Sequence, residues 1–497
     1  MKKYVIALDQ GTTSSRAVIF DRFARVIAVH GIEFPQIYPK PGWVEHDPDV
    51  ILSTQKEALQ TAVKLSGVPV EEIAAIGITN QRETTVLWDR RTGRPVYNAI
   101  VWQCRRTAPI VEQLRAQGLE EYIRETTGLL PDAYFAGTKL KWLLDELNLH
   151  ERAERGDLCF GTIDSWLAWN LIEGRPHVTD VSNASRTMLL NIHKVDWDEK
   201  LLEEMNIPAA VLPRIVDTSG VIGMLDPEIL GRPIPVAAMA GDQQSALFGQ
   251  ACFEEGMMKN TYGTGCFLLV NTGEQPVRSK SGLLTTVAWR IGGKTHYALE
   301  GSVFVGGAAV QWLRDEMHLI ERAADSEAVA TSVPDNGGVY LVPAFTGLGA
   351  PYWDMYSRGM LIGLTRGTGR AHVVRAALES IALQSADLVD AMVKDCGFTP
   401  RGLRVDGGAS ANNFLMQFQC DVLGVPVVRP AVIETTALGA AMLAGLAVGI
   451  WKDLDELTGI WNADVRLTPQ MEPAQREKIL RQWHRAVERC QRWVEVE

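Results

Sequence analysis

The sequence predicts an α/β protein made of two structurally related halves with a cleft between them, and three stretches carry that expectation. The first is Leu8–Arg16, LDQGTTSSR, set between the apolar runs Tyr4–Ala7 and Ala17–Phe20. The second lies in Met257–Val270, where two short strands flank Gly263-Thr264-Gly265. The third runs from Gly402–Val405 into Asp406–Asn413, DGGASANN. An apolar strand that turns through Gly and small hydroxyl residues leaves backbone N–H groups exposed at a tight bend, and such amides form an anion cradle. Taken singly, each bend reads equally well as an ordinary hairpin or helix-opening loop. Two cradles, one opening each half, would face each other and grip a polyphosphate from both sides. A nucleoside triphosphate is the natural guest, with Asp406–Asn413 as a Gly-lined surface for its ribose and base.

At 497 residues the chain is too long for one core and is expected to divide near Cys252, as 1–251 and 252–497. Its 46% hydrophobic and 22% charged residues fit an ordinary globular protein. The net charge of −11 argues against a nucleic-acid partner, which requires a basic face, and leaves phosphate binding to local amides and metal. Seven scattered cysteines include no Cys-x-x-Cys pair, so reduced thiols of a cytoplasmic protein are expected in place of a zinc site. The apolar run before Asp9 is too short for a signal-peptide core. The weakly polar run Ala437–Ile450 falls below the roughly 20 residues that span a bilayer and reads as a buried helix packed closely on a sheet.

In chain order, the opening strand, bend and strand continue into a third strand over Arg25–Phe34, a β-meander. Asp47-Pro48 starts a helix through Leu65, and Ile73–Thr79 is a short apolar strand that ends in Asn80-Gln81-Arg82-Glu83. Thr85–Trp102 reads as a hairpin turning at Asp89–Gly93, followed by helices over Arg105–Gln117, Glu120–Thr126 and Thr138–Leu149. The apolar run Ile234–Ala240 closes the first half before Gly241-Asp242-Gln243-Gln244. In the second half a helix opens at Gly306-Gly307, a long one covers His372–Met392, and Pro473–Glu497 is an amphipathic helix docked on the body. Gly293-Lys294-Thr295 imitates the end of a Walker A loop, but Ala288 stands where the loop needs Gly, so a turn between strands is expected.

The chemistry-bearing residues gather around these bends. Asp9, beside the first cradle, suggests a divalent metal. Asp242 is either a helix cap or a general base that accepts the proton of an attacking hydroxyl while the oxygen takes a γ-phosphoryl group. Arg82-Glu83 is either a solvated ion pair or the donor and acceptor that a small polyhydroxylated substrate requires. Gln243 offers both kinds of hydrogen bond. Trp102, Tyr134 and Phe267 are either core or the wall around a carbon skeleton.

The segments LDQGTTSSRAVIFD, TNQRETTVLWD, AGDQQSALFGQACF, NTYGTG and VDGGASANNFLMQFQ, with Gly359–Glu379, resemble the FGGY carbohydrate kinases, in particular their glycerol-phosphorylating members, over essentially the whole chain. The resemblance implies two ribonuclease-H-like domains of the actin, hexokinase and sugar-kinase type, with ATP in the cleft. It implies phosphorylation of glycerol to sn-glycerol 3-phosphate. Carried over by position, glycerol would meet Arg82, Glu83, Tyr134, Asp242 and Gln243, with Trp102 and Phe267 beside it, and Asp242 would be the base. ATP would meet Thr12, Thr13, Ser14, Arg16, Thr264, Gly307, Gln311, Gly408 and Asn412, while Asp9 and Asp242 place Mg²⁺. A homo-oligomer, dimer or tetramer, is implied as well. Some members are activated through a histidine just before the second catalytic segment, yet none occurs here between His193 and His296, and Gly231-Arg232 is only a fragment of the loop by which others bind a sugar bisphosphate. A kinase for a larger sugar, or an ATP-gated protein with no small substrate, are the competing readings.

Overall fold

Each half carries the same arrangement of strands, and a computed structural model, which describes residues 2–495, joins the two into one sheet. In chain order the strands are β1 (Tyr4–Gln10), β2 (Ser14–Asp21), β3 (Val26–Glu33), β4 (Ile73–Asn80), β5 (Ser219–Met224), β6 (Pro235–Gly241), β7 (Met258–Tyr262), β8 (Cys266–Gly273), β9 (Leu284–Ile291), β10 (Lys294–Val303), β11 (Leu403–Asp406), β12 (Val427–Pro430) and β13 (Ala463–Leu467). Across the sheet they run β13-β12-β11-β7-β8-β10-β9-β5-β6-β4-β1-β2-β3. In the first half β1 is antiparallel to β2 and parallel to β4, which is parallel to β6. In the second, β7 is antiparallel to β8 and parallel to β11, which is parallel to β12. The halves join where β5 meets β9, at the single pair Ser219 and Ile291. Sequence patterning does not foretell that join, because one bridge leaves no periodic signature.

The central strands are apolar because both faces are covered. In β4 every residue from Ile73 to Asn80 is buried, as a parallel strand under helices on both sides requires. Helix α1 (Pro48–Ser66) starts where Asp47 accepts the Asp49 N–H at 2.9 Å, and ends at Gly67 with φ 65°. Its buried stripe of Ile51, Ala58, Leu59 and Ala62 lies against β2 and β3, and each large aliphatic side chain there contributes about 1.5–3 kcal/mol. The other helices that matter to the site are α2 (Asp242–Gly249), α3 (Gly307–Asp315), α4 (Arg370–Cys396), α5 (Asn413–Leu423), α6 (Thr435–Ala447) and α7 (Pro473–Cys490). Helix α7 docks through Trp483, Ala486, Val487 and Cys490; Val496 and Glu497, at the end of the expected helix, lie outside the described residues.

Between β4 and β5 a large insertion builds its own core around Leu87, Ile100, Phe135, Leu140 and Phe160. The expected hairpin over Thr85–Trp102 forms, with antiparallel bridges between Thr85 and Ile100 and between Trp88 and Pro95. Its turn closes with the Gly93 N–H on the Asp89 carbonyl at 2.8 Å, and the strand Val86–Asp89 takes Leu158–Gly161 as a second, distant ladder partner. Trp88, on that strand, is buried against Trp166 and Trp169. The Gly292-Gly293 turn between β9 and β10 is plain chain reversal, as expected for the Walker-like decoy.

Helices α2 and α6 cross at the centre of the molecule, and each belongs to a different half. Helix α6 lies on β1, β4 and β6 of the opposite half, while α2 packs against β6 and β4 of its own half and against β7, β8 and β9 of the other. Their backbones touch. A Cβ on Gly439 would fall inside contact distance of the Ser245 carbonyl, and one on Gly249 would do the same at the Thr435 carbonyl.

Candidate active site

Three parallel strands deliver the first half of the site to one edge of the sheet. Gln10 pairs with Asn80, and Asn80 with Gly241, so the ends of β1, β4 and β6 stand level. Asp9, Arg82, Glu83 and Asp242 therefore emerge side by side, β1 and β6 being separated by two strand spacings, roughly 10 Å. In the second half Thr261 pairs with Asp406, which brings the Gly263–Gly265 bend and the Gly407-Gly408 turn to a common edge as well. Gly407 has φ 86°, and a Cβ there would stand 2.5 Å from the Tyr262 carbonyl oxygen, so the turn tolerates only glycine.

Side chains from both halves meet between those edges. The Arg82 guanidinium donates to both Glu300 oxygens at 2.5 and 3.0 Å, to Gln244 Oε1 at 3.3 Å, and pairs through Nε with Asp242 Oδ1 at 3.1 Å. Arg186 donates to Glu83 at 2.6 Å and to Glu300 at 3.1 Å. Lys259 donates to Gln243 Oε1 at 2.5 Å and to Thr261 Oγ1 at 2.8 Å. Three cations and three carboxylates (Glu83, Asp242, Glu300) thus balance in a nearly dry setting. Burial pushes the Glu300 carboxyl up, but Arg186 and Arg82 overcome it and hold it down to about 2. Burial also pushes the Glu83 and Asp242 carboxyls up against the pull of their cationic neighbours, and takes Lys259 down to about 8.

These contacts decide which atoms stay available. Asp242 Oδ1 also accepts the Gln243 N–H at 2.7 Å, whereas Oδ2 is uncommitted, and the side chain keeps 31% of its surface open. Glu83 offers Oε2, and Arg82 has one Nη2 N–H left over. Glu83 sits at φ 59°, left-handed backbone that costs about 1–2 kcal/mol for a residue with a Cβ, which marks the turn as held in place by its surroundings. The solvated-ion-pair reading of Arg82-Glu83 is overturned, since both side chains are buried. The Gln243 oxygen accepts from Lys259, and among the described residues its side-chain N–H groups have no protein partner.

Trp102 and Tyr134 meet edge to face at 5.6 Å, and the Trp102 indole donates to Thr12 Oγ1 at 3.0 Å, linking this wall to the first bend. Phe267, half-buried on β8, stands beside the second bend. In the first bend the Gly11 N–H closes on the Ser14 carbonyl at 2.9 Å, leaving Thr12 and Thr13 at the tip and Ser14 and Arg16 on β2. Arg16 pairs with Asp9 and, across the seam, with Glu434 at 2.8 Å. Burial raises the Asp9 carboxyl, with Arg16 opposing it. The second bend is clamped by α3, because the Gly306 and Ala308 N–H groups reach the Thr264 carbonyl at 2.9 and 3.0 Å and the Gly307 N–H reaches that of Gly263 at 2.8 Å. A Cβ on Gly307 would press on that same oxygen at 2.7 Å. Gln311 and Gly408 lie exposed at the mouth, while the Asn412 side-chain oxygen caps α5, accepting from Leu415 N at 2.9 Å. Among the described residues no cluster of three or more His, Cys, Asp or Glu could cage a metal ion.

Sequence reasoning missed Arg186, Gln244, Lys259 and Glu300. For Glu300 a signal exists: a single charge inside the mostly apolar stretch YALEGSV is rarely buried without a partner.

Residues 4–249 match the FGGY family of carbohydrate kinases, N-terminal domain, and residues 258–448 match its C-terminal domain. The chain belongs to the FGGY carbohydrate kinase family. FGGY kinases similar to it include the Thermotoga maritima protein named glycerol kinase 2, 62% identical over 492 residues and 99% of both chains. The Symbiobacterium thermophilum protein named glycerol kinase is 63% identical over 494 residues, again 99% of each. Among solved structures, Plasmodium falciparum glycerol kinase with ADP superposes with a TM-score of 0.93 at 37% identity, covering 99% of both chains. Lactobacillus acidophilus gluconate kinase gives 0.88 at 25%, covering 98% of this chain and 97% of that one. The expected mixed α/β fold of the sugar kinases is thus the observed one, and no helix among the described residues is long and apolar enough to cross a membrane.

Proposed function

We propose that this FGGY kinase transfers the γ-phosphoryl group of ATP to glycerol, giving ADP and sn-glycerol 3-phosphate. One contrast carries the choice of glycerol over a larger sugar: identity of 62–63% along the full length to proteins named glycerol kinase, against 25% to a gluconate kinase. The site chemistry agrees with a small polyol. Glu83 Oε2 accepts from one hydroxyl, the spare Arg82 N–H and the Gln243 amide donate to others, and Trp102, Tyr134 and Phe267 close around the carbon skeleton. Asp242 Oδ2 takes the proton of the attacking hydroxyl, its raised carboxyl making it a stronger base near neutral pH. The triphosphate lies between the bend at Thr12, Thr13 and Ser14 and the bend at Thr264, with Arg16 beside it and the nucleoside against Gly307, Gln311, Gly408 and Asn412.

Asp9 and Asp242 suit Mg²⁺, because that ion takes one or two carboxylates together with phosphate oxygens and water, and needs no all-protein cage. When bound it neutralises charge on the phosphates. The division at 251/252 belongs to the same reading, with the polyol pocket in the first part and the nucleotide surface in the second. So does a homo-oligomer, which the exposed Trp353, Met355, Tyr356 and Trp493 support and light scattering would measure.

The test is ADP release with glycerol, xylulose and gluconate in parallel. Glycerol should give the highest kcat/KM, and a higher value on either sugar would overturn the assignment. Asp242→Asn should lower kcat by about 10²–10⁴-fold while nucleotide binding persists.

A further inference from the structure

Lys259 is wholly buried on β7, in the second half, yet its ammonium reaches Gln243 Oε1 on α2, in the first, at 2.5 Å, and Thr261 Oγ1 at 2.8 Å. An ammonium has only donors and an amide has one acceptor, so this bond allows a single orientation of the Gln243 side chain. We propose that Lys259 is a positioning residue that fixes the Gln243 amide with its N–H groups toward the cleft, so that the pocket recognises its polyol by donating to a hydroxyl oxygen at that point. The inference rests on the glycerol kinase reading for the polyol itself and deepens it by stating the polarity of one subsite.

A buried amide released from this bond could turn over and present its oxygen, and the pocket would then lose a donor where the substrate offers lone pairs. Asp242, Glu300 and Arg82, which surround Lys259 together with Asp406 of β11, are held by partners of their own. The device also makes polyol affinity depend on a residue from the opposite half, which a purely first-half pocket would not.

Lys259→Met and Gln243→Met, singly and combined, test it by steady-state kinetics with glycerol and ATP varied in turn, folding being checked by thermal melting. Lys259→Met should raise the glycerol KM about tenfold or more with the ATP KM within about twofold, the size expected for one buried hydrogen bond. In the Gln243→Met background the same change should have little further effect. Full additivity, or an unchanged glycerol KM in folded Lys259→Met, overturns the proposal. Should that variant not fold, Gln243→Glu decides: it keeps an oxygen for Lys259 but removes the donors, so glycerol KM should rise about tenfold or more, and an equal or lower KM would mean that the substrate is read through an acceptor. Wild-type protein inactive on glycerol would instead remove the underlying functional reading, and so stays distinguishable.

Discussion

Single side chains in this protein act through what they leave uncommitted. Glu300 illustrates the energetic side. It is the shared acceptor for Arg82 and Arg186, and removing a carboxylate from a buried network leaves unpaired charge at a cost of about 3–5 kcal/mol. Glu300→Gln should therefore lower the unfolding midpoint markedly in urea titration and weaken glycerol turnover, although Glu300 need not touch the substrate. His46 shows the opposite sign. Its Nε2 faces Gln36 Oε1 at 2.6 Å, so that nitrogen carries the proton, and burial takes the ring down to about 4. The folded form binds a proton more weakly than the unfolded chain, whose histidine titrates near 6.5. Its contribution is complete above about pH 6.5 and fades as pH falls toward 4, by roughly 2 kcal/mol at pH 5. Urea midpoints at pH 7.5 and 5 should differ accordingly, and His46→Gln should shrink the difference.

Among the elements, strands and bends were legible in the sequence, and their partners across the chain were not. The opening strand, the Thr12-Thr13 bend, the Asp47-Pro48 helix start and the Gly407-Gly408 turn all follow from local chemistry: apolar runs, small hydroxyls, a capping Asp, a glycine that alone tolerates its φ. Lys259 on Gln243, Glu300 on Arg82 and Leu158–Gly161 on Val86–Asp89 join residues far apart in the chain, and periodicity cannot report such pairs. The crossing of α2 and α6 lies between these cases. Ser245 and Gly249, four residues apart, face Gly439 and Thr435, also four apart, so a small-residue spacing was present in the letters but meaningless until the two helices were brought together. Gly439→Ala should cost about 1–3 kcal/mol through overpacking. Gly459→Ala, in the exposed helix Leu454–Ile460 with open space around it, should be neutral or stabilise by up to about 1 kcal/mol. Thermal melting of the pair separates crowding from helix propensity.

At the scale of the whole molecule, the seam combines firm and yielding ties. The Arg82–Glu300 and Lys259–Gln243 contacts lie in the dry base of the cleft, whereas Arg16–Glu434 is about a third exposed and worth at most about 1 kcal/mol. The base should act as a pivot and the rim should move, because a kinase must keep water from the phosphoryl group. The radius of gyration should fall when glycerol and a non-hydrolysable ATP analogue are added together, and unchanged scattering would count against closure. The placement of α6 on the first half's strands reaches further. Because the first half's strands borrow their cover from α6 of the second, that segment is not self-sufficient: 1–251 made alone would present bare apolar faces of β1, β4 and β6 to solvent and should aggregate. Co-expressed with 252–497, it should be rescued into a soluble, active pair, so this enzyme is better understood as an obligate heterodimer that happens to be covalently continuous.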